Sequence, residues 1–90
     1  MSETAEARLK RLKIRSWRRG TKEMDLILGP FFDARGATLE PSVLDAYEAL
    51  LNENDQDLYL WVSGQSETPK EHEALIVTIR EFLEKSKQPG

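Results

Sequence analysis

Few side chains in this sequence could carry out chemistry alone. There is no cysteine, which rules out thiol nucleophiles, thiolate metal sites and disulfides. The single histidine, His72, falls in the charged stretch Lys70-Glu71-His72-Glu73 and is expected as an exposed residue in the first turns of a helix. Two carboxylate pairs, Asp55/Asp57 and Glu71/Glu73, have a spacing that acid–base chemistry could use. In so acidic a stretch they read more simply as solvated surface and helix-start charges. No glycine-rich phosphate loop, zinc-binding H-E-x-x-H or calcium loop is present, and Gly29-Pro30-Phe31-Phe32 is too bulky to cradle a phosphate. The sequence therefore predicts no catalytic residue, no metal site and no cofactor site. What remains is Arg19-Gly20-Thr21-Lys22-Glu23, an R-G-x-x-E pentapeptide. It sets a cation and an acid about one turn apart around a glycine. Such a set suits charge-assisted hydrogen bonding and close backbone approach, which is binding chemistry. Alone, it reads equally well as a cation at a helix end, a glycine stop, a threonine cap and an acid opening the next helix.

The charge distribution points the same way. The net charge of −3 hides an asymmetry: residues 1–22 hold eight of the 13 basic residues and two of the 16 acids, a net +6, which leaves −9 on residues 23–90. A chain so polarised can steer a charged partner. The basic segment with Trp17 is a candidate nucleic-acid site, since cations neutralise phosphates and an indole stacks on a base. The acidic remainder would repel a polyanion, and no helix-turn-helix spacing is evident, so nucleic acid is not the expected partner. No apolar run approaches the ~20 residues needed to span a bilayer. Met1–Lys13 lacks an apolar signal region, and Glu3 and Glu6 argue against a mitochondrial leader. A cytoplasmic protein working as a monomer, without membrane contact, is expected.

Helices must position these residues. Good helix formers run from Ala5 to Arg19, with Leu9, Leu12 and Ser16 on one face, and Gly20 is expected to stop this helix in a left-handed conformation. Thr21 can cap a second helix bearing Met24, Ile27, Leu28, Phe31 and Phe32, in which Pro30 should introduce a kink or leave two short turns. A loop is expected over Asp33–Thr38, followed by a third helix from Pro41 to about Leu51. A short fourth helix, capped by Asn54 or Asp55, carries Leu58, Leu60, Trp61 and Val62 and ends at Gly64; a strand is the alternative there. Thr68-Pro69-Lys70-Glu71 fits a capping box with Pro69 at the first helical position, ahead of Leu75, Ile76, Ile79, Phe82 and Leu83. The expectation is all-α, a compact five-helix bundle in a single domain over residues 1–90, with 1–4 and 86–90 frayed.

In this setting the pentapeptide gains weight. Arg18–Asp25, then Gly29-Pro30-Phe31-Phe32-Asp33, then Leu50-Leu51 with Asp55–Trp61, together resemble the succinate dehydrogenase assembly factors. The resemblance runs from about Arg8 to Leu83 with the motifs in the family's order. Lacking the extensions typical of mitochondrial members, the chain is similar to the bacterial type. The resemblance implies a five-helix chaperone, not an enzyme, that promotes covalent flavinylation. Its partner would be the flavoprotein subunit of succinate dehydrogenase or of the related fumarate reductase, and the FAD would belong to that client. It further implies that Arg19, Gly20 and Glu23 form the partner-binding patch, close to where the client's histidine becomes bonded to the 8α carbon of the flavin, with Asp25 and Arg18 as neighbours. Phe31, Phe32 and Trp61 match family positions but suit core packing better. The rival readings are a generic protein adaptor using the same surface and a nucleic-acid binder using the basic helix.

Overall fold

A computed structural model describes residues 3–87. Helix α1 (Ala5–Trp17) is followed by α2 (Lys22–Arg35), a 3-10 turn (Gly36–Thr38), α3 (Pro41–Leu51), α4 (Asp55–Val62), a second 3-10 turn (Lys70–His72) and α5 (Glu73–Lys87). The five expected helices are present, and no strand occurs among the described residues.

The apolar periodicity becomes a single core. Leu12 from α1, Met24, Leu28 and Phe31 from α2, Tyr47 and Leu50 from α3, Leu58 from α4, and Ile76 and Ile79 from α5 are all essentially inaccessible to solvent. Phe31 meets Phe82 edge-on at 5.6 Å between centroids, and Phe32 stacks on Tyr47 at 5.1 Å. Tyr47 brings a hydroxyl into this core, and Ser16 shares a 2.6 Å hydrogen bond with it while also donating to Leu12 O. Burial pushes the Tyr47 phenol up to about 12. Outside the core, α1 is tied to α3 by Arg8 and Arg11, which pair with Asp45 and Glu48. Arg11 beside it holds the Glu48 carboxyl below the usual carboxylate range.

Several local expectations need correction. Helix α1 ends at Trp17, and Gly20 is not left-handed; among the described residues only Gly64 has positive φ, at 79°, where it terminates α4. Helix α2 runs through Pro30 without a break and on to Arg35, so the expected loop shrinks to the 3-10 turn. Pro30 removes the hydrogen bond to the Leu26 carbonyl, but Leu26 lies on the solvent side, 55% exposed, where water can satisfy that group. The preceding Gly29 is required by Trp17: a Cβ there would stand 2.4 Å from the indole. Near α5, Pro69 has extended backbone (φ −56°, ψ 145°) and precedes the turn, no capping box forms, and α5 begins only at Glu73. The turn carries His72 into the interior. Of the ends expected to fray, residues 1–2 and 88–90 lie outside the described residues; Thr4 caps α1, accepting from Ala7 N at 3.0 Å, and Glu3 pairs with Arg11 at 2.8 Å.

A candidate docking corner between the first and second helices

The residues from Arg18 to Asp25 fold into a corner whose internal ties run mainly to α4 and to the end of α3. Arg18 leaves helical geometry (φ −124°, ψ 55°) and turns the chain away from α1. The next side chain, Arg19, points into the protein and is only 10% exposed. Its Nε donates to Asp55 Oδ1 at 2.8 Å, one terminal nitrogen donates to Leu51 O at 2.8 Å, and the other donates to Glu53 O at 2.9 Å. Leu51 closes α3, so the guanidinium satisfies a carbonyl that helix geometry leaves unpaired and sits at the negative end of the helix dipole.

Asp55 completes the tie. Its side chain is 11% exposed, and besides Arg19 it accepts from the backbone N–H groups of Gly20 and Thr21. As the first residue of α4, its carboxylate also lies where the helix dipole favours negative charge. A Cβ on Gly20 would approach Asp55 Oδ2 to 3.0 Å. Glycine therefore suits this position through close approach to Asp55, and no left-handed turn is involved. Thr21 caps α2 by accepting from Met24 N, and Asp25 accepts from Arg19 N.

The sequence-predicted site residues thus divide into two groups. Arg19 and Asp25 face the frame of the corner, whereas Arg18, Gly20 and Glu23 are exposed. Arg19 in particular does not present its charge to solvent, as a docking side chain would. Asp55, read from sequence as a solvated helix-start charge, is instead the hub of the corner. Its signal was an acid at the first position of a helix in the same chain as an Arg-Gly pair, but nothing local tied the two together. His72 is corrected as well: it is 4% exposed, tilted against Trp61 at 5.6 Å, and bonded through Nε2 to Glu53 Oε2 at 2.8 Å. Glu53 therefore holds Arg19 through its carbonyl and His72 through its carboxylate, fixing the α3–α4 connection from both sides.

Beside the corner lies an open cleft of about 510 Å³, lined by Thr21, Glu23, Asp55, Gln56, Tyr59 and Leu60. Tyr59 and Leu60 are 42% and 36% exposed. Leu60 was expected on the fourth helix, and both residues lie in the Asp55–Trp61 block of the resemblance, but nothing local marks either as exposed. Elsewhere the basic segment is largely engaged within the chain. Arg8, Arg11 and Arg19 pair with carboxylates, Lys13 lies 3.8 Å from Asp33, and Arg15 donates to Asn52. Lys10, Arg18 and Lys22 are the members of that segment without such a partner among the described residues. Among those residues, no group of three or more histidines, aspartates and glutamates is placed to hold a metal ion.

Comparison with known proteins decides the family. The family model described as the flavinator of succinate dehydrogenase matches residues 10–83, a stretch that contains the whole corner and cleft. The chain belongs to this flavinator family. Among family relatives, a protein named succinate dehydrogenase assembly factor 2, mitochondrial, from Schizosaccharomyces pombe is 41% identical over 68 residues, covering 76% of this chain and 49% of that protein. The FAD assembly factor SdhE of Legionella pneumophila strain Lens is 38% identical over 63 residues, covering 70% of this chain and 80% of its own length. That of Acetobacter pasteurianus is 37% identical over 65 residues, covering 72% and 60% respectively. The chain spans half or less of the length of the mitochondrial relatives it matches.

Proposed function

We propose that this protein is an assembly chaperone that binds the flavoprotein subunit of succinate dehydrogenase, or of fumarate reductase, and promotes covalent attachment of FAD to that subunit's histidine. The observation that carries the reading is the family match over residues 10–83. The corner supplies the surface: Glu23 and Arg18 contact the client, Gly20 lets the corner close on Asp55, and Arg19 and Asp25 hold the frame from inside. Arg19 thus acts on docking through shape, where the sequence alone suggested direct contact.

The chemistry belongs to the client, whose bound flavin supplies the electrophilic 8α carbon. The cleft fits poorly as a dinucleotide site, since its lining contains Glu23 and Asp55 and no cation to meet a diphosphate. What this chain contributes is differential binding. A surface that grips one client conformation better than another shifts the population toward it, and alignment of reacting groups alone can be worth several kcal/mol of barrier, on the order of 7 or more in favourable cases. A rigid corner suits that task, because little ordering is left to be done on binding. In this reading the protein acts as a monomer in the cytoplasm. No helix among the described residues is long and apolar enough to cross a membrane.

The direct test compares covalent FAD on the client subunit in cells with and without this gene. Loss of covalent flavin without the gene, restored by supplying it, is the expected outcome. Equal covalent flavin in both would contradict the proposal. The nucleic-acid reading is disfavoured by the internal pairing of Arg8, Arg11 and Arg19, which removes cations that a phosphate backbone would need.

A further inference from the structure

Resting on the reading of the corner as a client-docking surface, we propose that the adjoining cleft is the part that selects the client. Its occupant is a client segment presenting an arginine or lysine beside an apolar side chain. The inference comes from charge accounting within the cleft. Two carboxylates line it, from Glu23 and Asp55. Asp55 is satisfied by Arg19 and by the amides of Gly20 and Thr21. Glu23 is exposed and has no ion-pair or hydrogen-bond partner for its side chain among the described residues. The cleft therefore carries one uncompensated negative charge, and its lining contains no cation. An anionic occupant would meet that charge unrelieved, whereas a cation would form a charge-assisted hydrogen bond with Glu23.

The rest of the lining specifies the second feature. Tyr59 and Leu60 are adjacent on α4 and expose large apolar surface into the same cleft as Glu23. Tyrosine is enriched at interfaces because it combines an apolar body with a polar tip, and its ring face also attracts a guanidinium. The two walls do not need to assemble on binding, since Asp55 already joins the start of α2 to α4. The occupant meets a formed surface, and more of the contact energy appears as affinity.

The experiment titrates the purified full chain into the client flavoprotein subunit, isolated from cells lacking this gene, by calorimetry. Affinity is expected to fall in the order wild type, Glu23→Gln, Glu23→Lys, with the glutamine variant weaker on the order of tenfold. The double variant Tyr59→Ser/Leu60→Ser should also weaken binding on the order of tenfold. Leu60→Lys, a good helix former at an exposed position, should do the same by placing a cation where the client's cation must enter. Val77→Ser, an exposed apolar residue on α5, should bind like wild type. Circular dichroism melts identify any variant that is simply unfolded, and Leu60→Lys then carries the test. Weakening by the Glu23 variants alone, with Tyr59 and Leu60 variants unchanged, overturns the cleft while leaving the corner. Unchanged affinity in every variant overturns both. Tighter binding by Glu23→Lys assigns an anionic occupant, and self-association of the free chain that Glu23→Lys abolishes assigns a second copy; either result overturns the proposal.

Discussion

Arg19 and Asp55, 36 positions apart in sequence, meet at 2.8 Å with both side chains close to nine-tenths buried. Through this pair the connection between α1 and α2 is bound to α4, and through the carbonyls of Leu51 and Glu53 it is bound to the end of α3. Removing one partner leaves a largely buried charge uncompensated. Asp55→Ala and Arg19→Ala are each expected to lose about 3 kcal/mol of stability, lowering Tm by roughly 12–24 °C in a domain of this size. Differential scanning calorimetry checks this. A near-neutral Arg19→Ala would mean that the guanidinium is free for other work.

Trp17 and Gly29 make a second, independent prediction. The indole lies against the glycine and its Nε1 donates to Asp33. Gly29→Ala should destabilise by about 1–3 kcal/mol through overpacking, although alanine is the better helix former. In a Trp17→Ala background the clash is gone, and the same substitution should become neutral or stabilise by up to about 1 kcal/mol, the ordinary helix preference. The sign change between backgrounds, read by urea denaturation, is the diagnostic. An equal cost in both would place the strain elsewhere.

Tyr47 predicts an alkaline weakness. Its phenol is pushed from 10.0 to about 12 by burial. The folded state therefore holds the proton more tightly than the unfolded state. The stabilisation is complete below about pH 10, is lost as pH rises between the two values, and amounts to roughly 2–3 kcal/mol. In Tyr47→Phe the stability curve should flatten over that range. Spectrophotometric titration near 295 nm, with Tyr47→Phe as the reference, should assign to Tyr47 an ionisation near 12; ionisation of Tyr47 near its ordinary value of 10.0 would contradict its burial.

Much of the fold could be read from spacing alone. Met24, Leu28, Phe31 and Phe32 recur at helical period and are all buried, as are Leu75, Ile76 and Ile79. These positions depend on their neighbours within a turn or two, which a sequence displays directly. The helix continues through Pro30, as the apolar spacing on either side of it implied, but the solvent-facing position of Leu26 that leaves its freed carbonyl to water depends on tertiary placement. The burial of His72 and Arg19 was not legible because their partners Glu53 and Asp55 lie 19 and 36 positions away. A polar side chain is buried only when such a partner is in place, and no local pattern records it. The corner itself was legible as a motif, but not which of its charges faced outward.

That division of charge gives the most direct test of the account. Glu23 is exposed and Arg19 is built in, so Glu23→Ala should leave the melting temperature and helicity unchanged while reducing covalent FAD on the client subunit severalfold or more. The measurement is in-gel flavin fluorescence of the client, with expression of both proteins matched between wild type and variant. A stable Glu23→Ala protein that supports full covalent flavinylation would contradict the claim that this corner is where the client docks.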